Sequence, residues 1–409
     1  MRHRVVGALV AVVALAAIVG TGTGSAGSEP ESGGPRCPAS LVDRIPRGPA
    51  GQAKARLLAD RCVRINQIQV LGTHNSYHVQ ARPSVFAALS AFDPALARTL
   101  EYTHAPLRKQ LNRYGIRQME LDVFADPEGG LYADRAGLRV VGEDPIGPPP
   151  LHEPGMKVLH VQDIDFESRC LTLEKCLRQL RRWSDRNPDH LPVVVQIEPK
   201  DDVLPDLGLG FVEPIPFRAP EFDDLDAEIR SILGPRKLIT PDDVRRNRSS
   251  LEQAVLQDGW PTLGEARGRF LFALDTGGPK LDAYVAGHPA LRGRVMFTDS
   301  PVGTPEAGYL VRNDPVGGGA AIRDLVRRGY LIRTRADADT EQARTGDTTM
   351  QQAAFASGAQ LVSTDYPVPE TLFGTGYVTD LPGDGTARCN PVNAPPRCDR
   401  FVLEDLGSD

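Results

Sequence analysis

Short apolar runs, each ending in polar residues, recur along the chain. Gln67–Leu71 leads into Gly72-Thr73-His74-Asn75, Ile116–Leu121 carries Glu120 and meets Asp122, Lys157–Leu159 ends at His160, and Val193–Ile197 ends at Glu198 with Lys200 beyond it. Four more follow: Phe270–Leu274 before Asp275, Val295–Phe297 before Asp299, Tyr330–Ile332 before Arg333-Thr334-Arg335, and Gln360–Val362 before Thr364 and Asp365. Runs this short and continuously apolar suit strands buried on both faces. Between several of them the period becomes helical. Leu173, Cys176, Leu177, Leu180 and Trp183 share one face of a helix predicted over Leu171–Asp185, and Leu225–Leu233 and Ala320–Arg328 also read as helices. Strands alternating with helices predict an α/β fold with a parallel sheet. Eight of them predict closure into a TIM-type (β/α)8 barrel, whose functional residues gather at the C-terminal strand ends. The polar endings are therefore predicted to converge on one rim.

Two stretches exceed a minimal barrel. Asp126–Met156, rich in Gly and Pro, is predicted to be a long loop after the second strand, and residues 367–409 a C-terminal extension packed on the barrel. At the other end Arg2, His3 and Arg4 precede an apolar run, Val5–Val19, and the small residues of Gly20–Gly27. That order predicts a signal peptide over 1–26 and a secreted protein. The run is shorter than the roughly 20 residues a membrane span requires. Residues 27–36 are polar and small enough to read as a flexible linker, which leaves 37–409 as a single barrel domain. Six cysteines in an exported chain suggest disulfides; Cys170 and Cys176 bracket one short segment, Cys389 and Cys398 another, and Cys37 and Cys62 remain. Other connectivities stay open. A net charge of −6 excludes a general nucleic-acid binder, which needs a basic surface.

Taken together, Asn75, Glu120, Asp122 and Glu198 form an all-oxygen donor set suited to calcium or magnesium. Glu120 and Asp122 are two apart on a strand and so face the same way. A single strand-end carboxylate is as readily a solvated charge; recurrence on successive strands is what marks these. His74 and His160 titrate near neutrality and supply an acid–base pair. His78, His104, His152, His190 and His288 read as packed or surface residues, with His152 a second choice for the role of His160. His74 and His78 have the spacing of a zinc-protease helix, but Asn75 stands where such a helix carries Glu, and the segment follows a strand.

The ordered set Gly72-Thr73-His74-Asn75-Ser76-Tyr77, Glu120-Leu121-Asp122, His160 and Gln196-Ile197-Glu198 resembles phosphatidylinositol-specific phospholipase C, in particular its bacterial, secreted, calcium-dependent branch. The likeness extends more loosely to Arg333–Asp337 and Ser363–Pro367. It implies a PLC-like phosphodiesterase barrel that uses Ca2+ to cleave phosphatidylinositol into diacylglycerol and a cyclic inositol phosphate. His74 would be the general base, His160 the general acid, and Asn75, Glu120, Asp122 and Glu198 the calcium ligands. Lys200, Arg333 and Arg335 are candidate contacts to phosphate or inositol, and Tyr366 a candidate stacking partner. The partner is then a phospholipid met peripherally at a membrane surface, near Phe86, Phe92 and Phe217 if these are not core. A monomer with no protein partner is expected. A glycerophosphodiester phosphodiesterase on the same barrel is the alternative, although its His-Arg-Gly motif is replaced here by His74-Asn75-Ser76. An inactive binding barrel would have lost a histidine or a ligand, and all are present.

Overall fold

The computed structural model describes residues 42–45, 48–205, 207–257, 259–383 and 385–404. The predicted signal peptide, the linker and Cys37 lie outside these. Eleven strands form one sheet: β1 (Ile68–Thr73), β2 (Gln118–Phe124), β3 (Lys157–Val158), β4 (Val193–Pro199), β5 (Leu238–Ile239), β6 (Phe270–Leu274), β7 (Met296–Thr298), β8 (Tyr309–Val311), β9 (Leu331–Arg335), β10 (Leu361–Thr364) and β11 (Ala387–Cys389). Eight of them run parallel in a ring. The order is β1, β2, β4, β6, β7, β8, β9 and β10, and β10 pairs back to β1 through Val70↔Leu361 to Thr73↔Thr364. One parallel bridge, Asp299↔Tyr309, joins β7 to β8.

The ring has eight strands as the hydrophobic pattern predicts, but one member differs. Lys157–Val158 pairs antiparallel with Val123 and Phe124 at the end of β2, so it lies on the long loop outside the ring. Its place is taken by Tyr309–Val311, only three residues long and followed by Arg312, which offers too little periodicity to be seen in sequence. Among the other strands, β2 continues past its predicted end, which puts Glu120 and Asp122 within the strand. The helices begin earlier than or near their predicted starts, at Leu173–Arg186, Ala219–Leu233 and Pro315–Arg328. Thr172 and Asp314 cap two of them by accepting from the backbone of Lys175 and Gly317. Pro220 and Pro315 begin helices because the first turn has no use for their missing N–H.

The ring and its helices share one apolar core. Every residue of β6 is fully buried, and Trp183 and Trp260 fill the layer outside the strands. The seam between β1 and β2 is thin, a single pair at Gly72↔Gln118. A Cβ on Gly72 would come within 1.7 Å of Gln118 Oε1, so only glycine admits this packing. Below it β11 pairs antiparallel with Ile68–Val70.

β11 belongs to the C-terminal extension, which is stapled by the Cys389–Cys398 disulfide; Cys170 and Cys176 are also bonded. Cys62 is disulfide-bonded as well. The extension is held electrostatically at the far end. Glu404 accepts from Arg117 Nε at 2.9 Å and from the Leu191 backbone at 2.6 Å, and neither charged side chain is exposed by more than 1%. Phe217 is core, Phe86 half-buried and Phe92 exposed. No described helix is long and apolar enough to cross a membrane.

Candidate active site

The rim is built outward from the end of β1. Thr73 ends the strand, and His74–Tyr77 turn back over it. Asn75 takes φ 45°, a left-handed conformation that asparagine tolerates better than most residues, and the turn closes with His78 N–H on Asn75 O at 2.7 Å. Ser76 fastens this turn to β2. Its hydroxyl lies 2.6 Å from Thr73 Oγ1 and accepts from Glu120 N–H at 2.9 Å, while Ser76 N–H reaches Glu120 O at 3.0 Å. The spacing between His74, Asn75 and the carboxylates of β2 is thereby set by hydrogen bonds.

Glu120 and Asp122 point inward from β2, while Met119, Leu121 and Val123 on its other face join the core. With Glu198 at the end of β4 they bring three carboxylate oxygens within 4.8 Å of one another. Asp122 is fully buried, and neither of its oxygens has a hydrogen-bond partner; Asn75 Oδ1 is buried and equally unpartnered. Burial and then the adjacent Glu198 push the Asp122 carboxyl well above the usual range. Converging carboxylates, one of them with both oxygens unpartnered, favour a cation among them. An all-oxygen set of this kind fits a hard divalent ion such as Ca2+. Two of the carboxylates are partly balanced: Glu120 Oε2 accepts from Arg333 at 2.6 Å, and Glu198 Oε1 from Lys200 at 3.1 Å.

Each predicted catalytic histidine stands on a buried carboxylate. His74 Nδ1 lies 2.9 Å from Asp365 Oδ1, and Arg335 donates to Asp365 Oδ2 at 2.9 Å. Burial would raise Asp365, but Arg335 and His74 hold it well below the usual carboxylate range. An ionised carboxylate only accepts, so Nδ1 carries the hydrogen and Nε2 is left free. Burial, reinforced by Arg335, lowers the His74 pKa against the pull of Asp365, which keeps the ring neutral. His160 is held the same way, though not from a barrel strand. It opens a tight loop in which Asp165 N–H bonds Val161 O at 2.9 Å, and its Nδ1 lies 2.8 Å from Asp165 Oδ2. The same oxygen is 2.8 Å from Nε2 of His78, a fully buried ring stacked on Tyr102 at 4.2 Å. Burial would raise Asp165; the adjacent His78 ring and hydrogen bonds from both rings keep it well below the ordinary range. The histidines keep about a fifth of their side-chain surface exposed, while their carboxylates keep almost none.

The remaining candidates divide by exposure. Lys200 is partly open, and its Nζ lies 3.9 Å from Asp122 beyond its contact with Glu198. Arg333 and Arg335 are buried, engaged by Glu120 and Asp365. Tyr366 packs edge-on to Tyr377 in a small buried cluster with Tyr102. His152 Nε2 donates to Gly147 O on the long loop, 3.1 Å away, and has no carboxylate partner there. Sequence patterns missed Asp165 and the linking part of His78. Asp165 lies on no strand, and an isolated histidine four residues past a motif carries no mark of its role. Asp365 was visible as a strand ending but had no assigned task.

Together the eight-stranded ring and this rim have the architecture of the PLC-like phosphodiesterase barrels. The family described as Ca2+-dependent phosphoinositide phospholipase C matches residues 63–391, and the chain belongs to that family. Among solved structures, a calcium-dependent phosphoinositol-specific phospholipase C from a Pseudomonas species aligns with TM-score 0.50 at 15% identity, over 81% of this chain and 96% of that one. The Ca2+-dependent phosphatidylinositol-specific phospholipase C of Streptomyces antibioticus aligns with TM-score 0.48 at 18% identity, over 75% and 96%. The phosphatidylinositol-specific phospholipase C of Listeria monocytogenes aligns with TM-score 0.42 at 12% identity, over 76% and 94%. No curated protein matches the sequence.

Proposed function

We propose that this exported phospholipase C cleaves phosphatidylinositol to diacylglycerol and a cyclic inositol phosphate, with His74 as base and His160 as acid. The observation that carries this reading is the pairing of each histidine with its own buried carboxylate, beside a carboxylate cluster that has unpartnered oxygens. Neutral His74 takes the proton of the ring hydroxyl next to the phosphate at Nε2. The hydroxyl oxygen then bonds to phosphorus. As the bond from phosphorus to the glycerol oxygen breaks, His160, protonated on both nitrogens, gives its Nε2 proton to that oxygen. Asp165 and Asp365 hold the rings in the required orientation and stabilise their charged forms, a contribution of roughly 10²–10⁴ in rate for acid–base help of this kind.

Asn75, Glu120, Asp122 and Glu198 would hold Ca2+, which when bound supplies positive charge to the phosphate and the attacking oxygen. Lys200, still partly open, adds a cation on the same side. Arg333 and Arg335 serve the reading through Glu120 and Asp365, keeping both ionised. Tyr366 borders the site from its buried cluster. The same rim would accept a glycerophosphodiester if no inositol were demanded, and the products separate the two.

The test is release of inositol phosphate from phosphatidylinositol micelles with Ca2+ and with a chelator, beside His74→Ala. A cyclic phosphate formed only with Ca2+ and reduced by about 10³ or more in the variant is expected. Glycerophosphodiester hydrolysis without any cyclic product overturns the proposal.

A further inference from the structure

Beside the rim lies a second concavity of about 310 Å³. Its walls come from three rim segments: the helices Pro83–Phe92 and Pro94–Thr99 after β1, the helix Ala136–Val140 after β2, and Leu207 and Leu209 after β4. Val85, Leu89 and Phe92 line one side, and Ile164 the floor. The two acids that reach it are turned away into backbone bonds. Asp163 accepts from Ala136 and Val212 N–H at 2.8 and 2.6 Å, and Asp93 from Leu96 N–H at 2.9 Å. What remains facing the cleft is hydrocarbon. Its lip is unusually exposed for apolar residues, with Phe92 at 72%, Val140 at 51% and Leu207 at 46%. Scattered apolar residues need no explanation, but a clustered lip around a cleft marks a binding surface.

The floor ties this cleft to catalysis. Ile164 belongs to the same tight loop that carries His160, and the next residue, Asp165, holds that ring. If His160 protonates the leaving oxygen, the diacylglycerol departs on the side where this loop stands. We infer that the cleft takes a fatty-acyl chain of the substrate, so that the enzyme grips the lipid itself and not only its head group. This rests on the reading of His160 as the acid. It gives the leaving group a defined path from His160 past Ile164 into the cleft.

The experiment uses phosphatidylinositols with two butanoyl, hexanoyl or octanoyl chains, all kept monomeric, and reads kcat/KM for the protein, for Ala88→Trp, which fills the cleft, and for Leu209→Asn, which wets its lip. Burying one methylene is worth roughly 0.8 kcal/mol, or about fourfold. The protein is therefore expected to gain several-fold per methylene as the chain lengthens, and both variants to lose most of the octanoyl-to-butanoyl ratio. A ratio near one in the unsubstituted protein overturns the inference while leaving the phospholipase reading intact. So does a ratio that survives both substitutions. Adsorption to phosphatidylcholine vesicles, or a dimer in sedimentation, that Leu207→Asp abolishes without any chain-length dependence would assign the lip to a bilayer or to a second copy instead. No hydrolysis of any of the three lipids removes both readings together.

Discussion

Replacing Asp165 by Asn tests the catalytic geometry most directly. The change is isosteric and buried, and Asp165 Oδ1 has no partner, so no hydrogen bond is broken on that side. On the other side Oδ2 accepts from His160 Nδ1 and His78 Nε2, both at 2.8 Å. The amide removes the charge that stabilises protonated His160. A charge-assisted hydrogen bond is worth about 1.5–3 kcal/mol, which alone amounts to roughly 10–10² in rate. If the amide nitrogen turns toward the ring, His160 must also surrender its Nδ1 hydrogen, and the wrong tautomer brings the loss toward the ~10⁴ seen when a triad aspartate is amidated. The expected fall in kcat is therefore about 10²–10⁴ with KM little changed, measured as cyclic inositol phosphate released from micelles and with thermal unfolding as the check on folding. The double variant His160→Ala/Asp165→Asn should be no slower than His160→Ala, because the aspartate acts through the ring. A kcat within threefold of the starting protein, or losses that multiply in the double variant, would refute the assignment.

Three other outcomes are expected. Asp122→Asn should weaken Ca2+ binding at least tenfold by calorimetry, because it replaces one of the unpartnered carboxylate oxygens of the cluster by an amide nitrogen; an unchanged affinity would count against the cluster as a cation cradle. His78→Asn, which leaves Asp165 one donor fewer, should lower kcat by about tenfold and leave Ca2+ affinity unchanged. Glu404→Gln should cost roughly 3–5 kcal/mol at neutral pH, since Arg117 is left buried without its counter-charge. Burial would raise the Glu404 pKa, but Arg117 holds it below the usual value. A depressed folded pKa gives stability that is present above the unfolded value of about 4.3 and lost as pH falls through the folded one. The melting difference between the protein and this variant should therefore shrink from pH 7 toward pH 3; a constant difference would show that the ion pair is not its source.

Much of this was legible along the chain. Short continuous apolar runs, helical stretches between them and polar endings specify a parallel barrel and the rim at its strand ends, because burial on both faces leaves no other place for hydrophobic strands. Local pairings such as Cys170–Cys176 and Cys389–Cys398 follow from proximity in sequence. The candidate cation ligands and the two candidate catalytic histidines are readable from motif order. What tertiary structure alone decided is which groups act on one another across the ring. Tyr309–Val311 becomes a barrel strand, and Lys157–Val158 does not, because pairing partners are chosen by register and not by composition. Asp165 reaches His160 through a loop, and Asp365 reaches His74 across 291 positions of sequence. His78 carries no mark of this role in sequence, yet its ring shares Asp165 Oδ2 with His160, because only the closed fold brings the three together.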